Sequence, residues 1–317
     1  MINPELEPFL KVWNEAWSVL PQGTTPRERR ILFEYIANDM ALPRPEGVRT
    51  SARFVPSGDH LVTVRIDRHE HGGAQPALVY MHGGAWMQGS PMTHADITMR
   101  IAAANRQTVV SVDYALAPEH PFPRAVHECR DTMIWLHRNA AELGVDAGRI
   151  AIGGDSAGGN LALVTTLWAI EQGLPLPRLQ CLIYPCVDIY ANTASRTRFA
   201  QGFFLDEESL VWFFERYLPQ PGDAMDWRAS PVLAWDLLER LPPLCLIAAE
   251  CDPLVDEGRQ LAAHLRAAGI DVEQHEYPGL VHGFITLGGL FPQAGEAIAA
   301  MAESIRRHLH VPGPNGG

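Results

Sequence analysis

The sequence predicts an α/β fold, a mostly parallel central sheet with helices on both faces. Three observations predict it. Short strand-like runs, most of them apolar, recur along the chain: ALVYM, TVVSVDY, RIAIGG, LQCLIYP, LCLIAAE and VEQHEY. Helical patterns separate most of these runs, for example Ala125 to Leu143 and Asn160 to Glu171. The chain has 317 residues, 47% of them hydrophobic, which is enough for one large core in a single domain.

Taken in order, the elements follow from local chemistry. Leu6, Leu10, Trp13, Trp17 and Leu20 recur at helical spacing, so the first forty residues read as helical. TPRE then starts a second helix, with Thr25 as N-cap, Pro26 in the first turn and Glu28 reaching back. Ile31, Leu32, Tyr35 and Ile36 continue an apolar face, expected to pack on the core or to serve as a lid over a site. From Val48 the period changes to two. VRTSARFV and LVTVRI alternate around the turn PSGD and predict an antiparallel pair. The six buried runs follow.

One interval breaks the alternation. Between Asp188 and Leu241 no run resembles a strand; RTRFAQGFFLDEESLVWFFERYL is helical and aromatic instead, with Phe203, Phe204, Trp212, Phe213 and Phe214. An insertion of this kind reads as the second part of a lid. The expected division is therefore residues 1–45 as N-terminal cap helices, 46–187 and 242–310 as the core, and 188–241 as a cap insertion. The tail VPGPNGG, residues 311–317, is rich in Pro and Gly and is expected to be disordered. No internal repeat and no domain linker stands out.

Composition excludes several classes. Lys+Arg number 25 against 37 Asp+Glu, a formal net charge of -12, so a nucleic-acid partner is not expected. No apolar run approaches the roughly 20 residues that a membrane span needs, and the start of the chain lacks the pattern of a signal peptide. Cys129, Cys181, Cys186, Cys245 and Cys251 are odd in number and form no CxxC pair. They read as buried apolar residues of a reducing compartment, which makes the cytoplasm the expected location.

The stretch AIGGDSAGGN carries the chemistry. Gly154-Asp155-Ser156-Ala157-Gly158 matches G-x-S-x-G, between the strand-like run Arg149 to Ile152 and a helical run from Asn160. That strand–turn–helix context is what a nucleophile elbow requires. Small neighbours let the two flanking segments approach a strained serine. The start of the helix adds unpaired N–H groups and partial positive charge. A phosphate-binding glycine turn is the alternative, but G-x-G-x-x-G and a Walker lysine are both absent.

A serine hydroxyl needs a base, and the base needs an orienting carboxylate. An antiparallel start followed by parallel strands fits the α/β-hydrolase arrangement, where the chain order is Ser, Asp or Glu, then His. Asp252 follows the run LCLIAAE at the carboxyl end of a strand, the edge where ligands collect. Asp256 and Glu257 come a turn later and are less well placed. His282 lies in the loop YPGLVHGF, whereas His275 falls inside the last strand. Ser156, Asp252 and His282 are therefore the expected triad. The Ala157 N–H, directly after the serine, should face a developing oxyanion. Further donors should come from the loop after ALVYM, with His82, Gly83, Gly84, Ala85 and Trp86.

With HGGAW, DYALAPEHPFPRA, GDSAGGN, CDPLVDEG and HGF in this order, the chain from Ala77 to Phe284 resembles the bacterial hormone-sensitive-lipase-like esterases, or family IV carboxylesterases. The resemblance implies a serine esterase for short to medium acyl chains, with no metal or cofactor and with a small-molecule ester as partner. It implies that Ser156, Asp252 and His282 carry the reaction. It also implies an oxyanion hole in which Gly84, Ala85 and Ala157 point N–H groups and Gly83 supports the loop. A homodimer follows from the same resemblance. Trp86, Tyr184, Phe203, Phe204 and Trp212 are the candidates for an apolar substrate pocket. The family usually has a third glycine where this chain has Ala85, so Ala85 is expected to adopt negative φ.

Two other readings remain. An amidase of the arylformamidase type shares the HGG-x-W loop and would use the same triad. A non-catalytic receptor shares the fold but lacks the histidine, which this chain has at position 282. A metal site has little support. The closest His pairs, His69 with His71 and His308 with His310, have no third ligand nearby in sequence.

Overall fold

The structure is a computed structural model, and it describes residues 2–18 and 25–310. The Trp17 side chain, Leu20 and the tail 311–317 lie outside the described residues. The strands are β1 (Val48–Ser57), β2 (His60–His69), β3 (Gln75–Met81), β4 (Thr108–Asp113), β5 (Val145–Asp155), β6 (Gln180–Ile183), β7 (Leu244–Cys251) and β8 (Val272–Val281). They form one sheet in the order β1-β2-β4-β3-β5-β6-β7-β8. β1 pairs antiparallel with β2 and β2 with β4, and all later pairings are parallel. All six runs became strands, and the PSGD turn joins β1 to β2.

Burial explains why those runs do not alternate. Every residue of β3 and of β6 is buried, because helices cover both faces. Val79, Ile152, Leu182 and Leu246 face α4 (Arg124–Asn139), α5 (Ala157–Glu171) and α9 (Val255–Ala267). Leu78, Ala151, Cys181 and Ile247 face α3 (Ala95–Asn105) and α10 (Pro292–His310). All five cysteines are free and buried.

Strand order places the working edge. After β3 the chain crosses to β4 on one side, then returns to β5 on the other. The sheet reverses direction of growth between β3 and β5, the point at which open α/β sheets bind ligands beyond their carboxyl ends. Met81, last in β3, pairs with Gly154 of β5. The loop after β3 and the serine turn after β5 are thus side by side.

The remaining helices lie over this edge. α1 (Glu7–Ser18) buries Leu10 and Trp13, following a 3-10 turn that buries Leu6. α2 (Pro26–Asp39) starts with the expected capping box: Thr25 Oγ1 accepts from Glu28 N at 3.3 Å, and Glu28 Oε2 accepts from Thr25 N at 2.8 Å. The expected apolar face of α2 packs only in part: Ile36 lies against the core, whereas two other members of the face point to solvent. Ile31 is 58% and Tyr35 68% exposed. The helix docks through the i, i+4, i+8 row Arg29, Phe33 and Ala37, and through Arg30. The Arg30 guanidinium donates to Met87 O at 2.7 Å and Ala117 O at 2.8 Å and pairs with Glu119. Bonds to backbone carbonyls and the contacts of Phe33, Ile36 and Ala37 together hold this helix.

The interval Asp188–Leu241 holds α6 (Ala194–Arg198), α7 (Glu207–Tyr217) and α8 (Trp235–Leu238), with no strand. It touches the N-terminal helices directly. The Trp13 ring stacks on Phe204 at 4.1 Å, Trp13 Nε1 donates to Phe204 O, and the Arg29 guanidinium lies 4.5 Å from the Trp212 ring. Where the interval leaves the core, Glu257 of α9 accepts from Val187 N at 2.8 Å and Asp188 N at 3.0 Å and faces Arg196 at 2.9 Å. Asp256 Oδ2 accepts from Ser195 N at 2.9 Å. The two acids after Asp252 thus tie the insertion to the core. Burial pushes the Glu257 carboxyl up to about 7, against the pull of Arg196 and the two amides.

The loop after β3 departs from expectation. Ala85 has φ 53 and Trp86 has φ 59, so Ala85 is left-handed. Met87 N and Gln88 N both donate to Gly84 O at 3.0 Å, closing a tight turn with two positive central φ values. Such a turn costs roughly 1–2 kcal/mol per non-glycine residue. Tertiary contacts hold it. The Trp86 ring lies flat on Tyr217 at 4.4 Å, and Ala117 N donates to Trp86 O at 2.9 Å.

Two outcomes follow. Glu257→Ala should destabilise the protein by about 3–5 kcal/mol in denaturant unfolding, because it removes the nearest partner of buried Arg196 and leaves it only the more distant Glu207 carboxylate, at 3.6 Å. The double variant Arg196→Met/Glu257→Ala should recover part of that loss. Ala85→Gly should raise the unfolding free energy by about 0.5–1 kcal/mol, since glycine adopts this φ without strain.

Candidate active site

The serine turn is built by steric exclusion. Ser156 has φ 55 and ψ −118, a strained conformation between β5 and α5. A Cβ on Gly154 would sit 2.4 Å from Met81 O, and one on Gly158 only 2.0 Å from it. The small residues are there because the end of β3 lies against the first turn of α5. Ser156 N donates to Ile183 O at 2.8 Å, and the Asn160 amide reaches Cys186 O and Ala229 O, both at 2.9 Å.

Three strand ends bring the nominated residues together. His282 Nε2 lies 2.8 Å from Ser156 Oγ, and His282 Nδ1 lies 2.7 Å from Asp252 Oδ2. Asp252 is fully buried, and its other oxygen accepts from Leu254 N at 2.8 Å. A carboxylate on Nδ1 keeps the proton there and leaves the Nε2 lone pair for the serine hydroxyl. The Tyr184 ring packs 4.4 Å from the His282 ring and fixes its plane. Asp256 and Glu257 bind the insertion instead, and His275 pairs with Glu273 at 2.8 Å on the edge strand.

The amides of Gly84, Ala85 and Ala157 donate no hydrogen bond to the protein among the described residues. Gly84 and Ala85 line the cavity above Ser156, and Ala157 opens α5. Gly83 differs. Its N–H donates to Asp155 Oδ1 at 2.9 Å, so it is a support of the loop and not a free donor. His82, held neutral because burial lowers its pKa to about 3, keeps its ring on Tyr114 and bonds Gly83 O at 2.8 Å.

The cavity is narrow, about 80 Å³. Of the five pocket candidates, Tyr184 and Phe204 line it, and Trp86, Phe203 and Trp212 do not. Trp86 is turned into the core against Tyr217 by its left-handed backbone. Phe203 packs on Phe199 at 4.9 Å, and Trp212 lies under Arg29 and Arg216. The walls that sequence reading did not nominate include Trp13, Arg29, Phe33, Gln88, Leu205 and Phe213. One signal was available: Arg29 and Phe33 share a helix row with Ala37. Phe204 has φ 72, and its ring lies where a side chain at Gly283 would be, 2.6 Å from that Cβ position.

Away from the cavity, Cys245, Glu273 and His275 lie close together across β7 and β8. Arg307 and His275 both bind the Glu273 carboxylate, which makes this an ion-pair cluster at the sheet edge. No helix among the described residues is long and apolar enough to cross a membrane.

Comparison with known proteins agrees with this geometry. Residues 78–286 match a family described as alpha/beta hydrolase fold. The chain is 35% identical to an ethyl acetate hydrolase of Pseudomonas putida, over 97% of this chain and 99% of that protein. It is 32% identical to an arylesterase of Saccharolobus solfataricus, over 96% of this chain and 99% of that one. A solved ester hydrolase from the Lake Arreo metagenome, bound to a bipyridine phosphonate derivative, superposes with a TM-score of 0.93 at 35% identity, covering 98% of this chain and 100% of that one. The chain belongs to the alpha/beta hydrolase fold family, and within it to the hormone-sensitive-lipase-like carboxylesterases.

Proposed function

We propose that the chain hydrolyses carboxylic esters of short acyl chains through a covalent acyl-enzyme on Ser156. The observation that carries this reading is the continuous relay from Asp252 through His282 to Ser156, beside the free amides of Gly84, Ala85 and Ala157. His282 takes the serine proton as Ser156 Oγ attacks the ester carbonyl. Asp252 stabilises the imidazolium that forms. Negative charge on the carbonyl oxygen is met by the three amides; loss of one oxyanion donor costs about 2.7–4 kcal/mol in a measured protease case. The alcohol leaves with the proton from His282. Water then attacks the acyl-enzyme by the same route and releases the acid.

Cavity size favours small groups. About 80 Å³ is less than the roughly 150 Å³ that accommodates benzene in an engineered cavity. The relative named for ethyl acetate supports the same preference. The residues 1–45 and the insertion 188–241 act together as a cap in this reading, since Trp13 and Phe33 from one and Phe204 and Phe213 from the other share the cavity wall. The relatives are named as esterases, which gives the arylformamidase alternative no support. The same reading includes a cytoplasmic location, supported by five buried cysteines without a CxxC pair, and a homodimer, supported by the family resemblance.

Hydrolysis of p-nitrophenyl esters from acetate to laurate tests the reading. Acetate and butyrate should turn over fastest, and Ser156→Ala should lower kcat by about 10⁶. Activity that survives this substitution rejects the nucleophile. Asp252→Asn should keep KM and lower kcat by about 10⁴, because the imidazole then holds the wrong tautomer.

A further inference from the structure

The aspartate directly before the serine has no part in the proton relay, yet it is among the most constrained groups in the molecule. Asp155 is 3% exposed. Oδ1 accepts from the Tyr80 hydroxyl at 2.8 Å and from Gly83 N at 2.9 Å, and Oδ2 faces His94 Nε2 at 3.2 Å. Burial pushes its pKa up, but the His94 ring and the Tyr80 hydroxyl pull harder, and the net shift is downward. A buried carboxylate this close to a site of developing negative charge opposes the reaction by repulsion. Its presence therefore calls for a compensating role.

The contacts point to one. Gly83 precedes the two loop residues whose amides are free, and Asp155 precedes the serine that those amides must face. One side chain thus spans the two strand ends at the switch point. Gly83 is itself shaped by this contact, since a Cβ there would lie 2.1 Å from Asp155 Oδ2. Its glycine is required by the carboxylate and not by a positive φ. The neighbouring glycine differs: Gly84 has φ 119. The donors around Asp155 come from β3 (Tyr80), the loop (Gly83) and the residue before α3 (His94), so the carboxylate cannot shift without breaking all three bonds.

We propose that Asp155 is a positioning residue, whose carboxylate holds the peptide of Gly83 and thereby sets the amides of Gly84 and Ala85 at a fixed distance from Ser156 Oγ. The proposal rests on the reading of those amides as oxyanion donors. It separates positioning from proton transfer: loss of Asp155 harms the transition state and leaves the ground-state fit of the ester largely intact.

The test compares wild type, Asp155→Asn and Asp155→Ala on p-nitrophenyl butyrate, with a trifluoromethyl ketone as a tetrahedral mimic. Asp155→Ala should lower kcat about 10²–10³-fold, the range seen when one oxyanion donor is lost. KM should stay within about threefold, and the inhibition constant of the ketone should rise in step with the fall in kcat/KM. Asp155→Asn, which keeps one carbonyl oxygen for Gly83 N, should lose less than Asp155→Ala. A variant that melts earlier but keeps wild-type kcat and ketone affinity at low temperature would make Asp155 purely structural and overturn the proposal. Should neither variant fold, His94→Ala frees Oδ2 alone. It should lower kcat about five- to tenfold with unchanged KM, and wild-type kcat there also overturns the proposal. Wild type beside Ser156→Ala reports separately on the serine esterase reading.

Discussion

The backbone at the end of β3 touches the first turn of α5, and the site is organised around that contact. Gly158 and Gly154 both lie where any side chain would strike Met81 O. The approach brings the loop after β3 to the serine turn at atomic distance. It also fixes the strained φ of Ser156, which could relax only if the strand and helix moved apart. The rest of the fold maintains this contact. Buried strands on either side hold β3 and β5 in register, and α5 is buried along almost its whole length, so the elbow is backed by the core.

Much of this was legible in the chain, for identifiable reasons. Short uninterrupted apolar runs separated by helical patterns fit strands covered on both faces, so the sheet could be read from ALVYM or LCLIAAE without alignment. The small residues around Ser156, between a strand and a helix, signalled close approach because the phosphate-binding alternative lacked both G-x-G-x-x-G and a Walker lysine. Asp252 and His282 followed from chain order and from their positions after strands. Their 2.7 and 2.8 Å contacts are long-range, and no local pattern contains them.

What was not legible depended on rotation and tertiary support. Ile31 and Tyr35 have the spacing of a buried face, but α2 lies with Arg30 on backbone carbonyls of the core and with Arg29 and Phe33 at the cavity wall. Residue type alone argues against placing an arginine on the docking face. Ala85 was read by the intrinsic rule that alanine avoids positive φ. That rule lost to the stacking of Trp86 on Tyr217 and to the anchoring of the loop on Ala117. Trp86 is a pocket candidate by sequence; the same left-handed turn points its ring into the core.

The distribution of backbone strain ties these misses to function. Among the described residues, the non-glycine positions with positive φ are Ala85, Trp86, Arg106, Ser156, Tyr184 and Phe204. Arg106 ends α3 in an ordinary left-handed cap. The others lie at the cavity or in the loop that forms it. Each would relax if its surroundings loosened, and each is held by a different piece of the molecule: the turn by Tyr217 of α7, Ser156 by β3, Tyr184 by Ile247 O, and Phe204 by Trp13 of α1. The helices over the site therefore do more than close it. Tyr217 and Trp13 both belong to them, and both fix strained residues in the cavity or its loop. Opening those helices would release part of the strain that keeps the free amides and the Phe204 wall in place. The reactive geometry and the cavity walls are thus two aspects of one packed state.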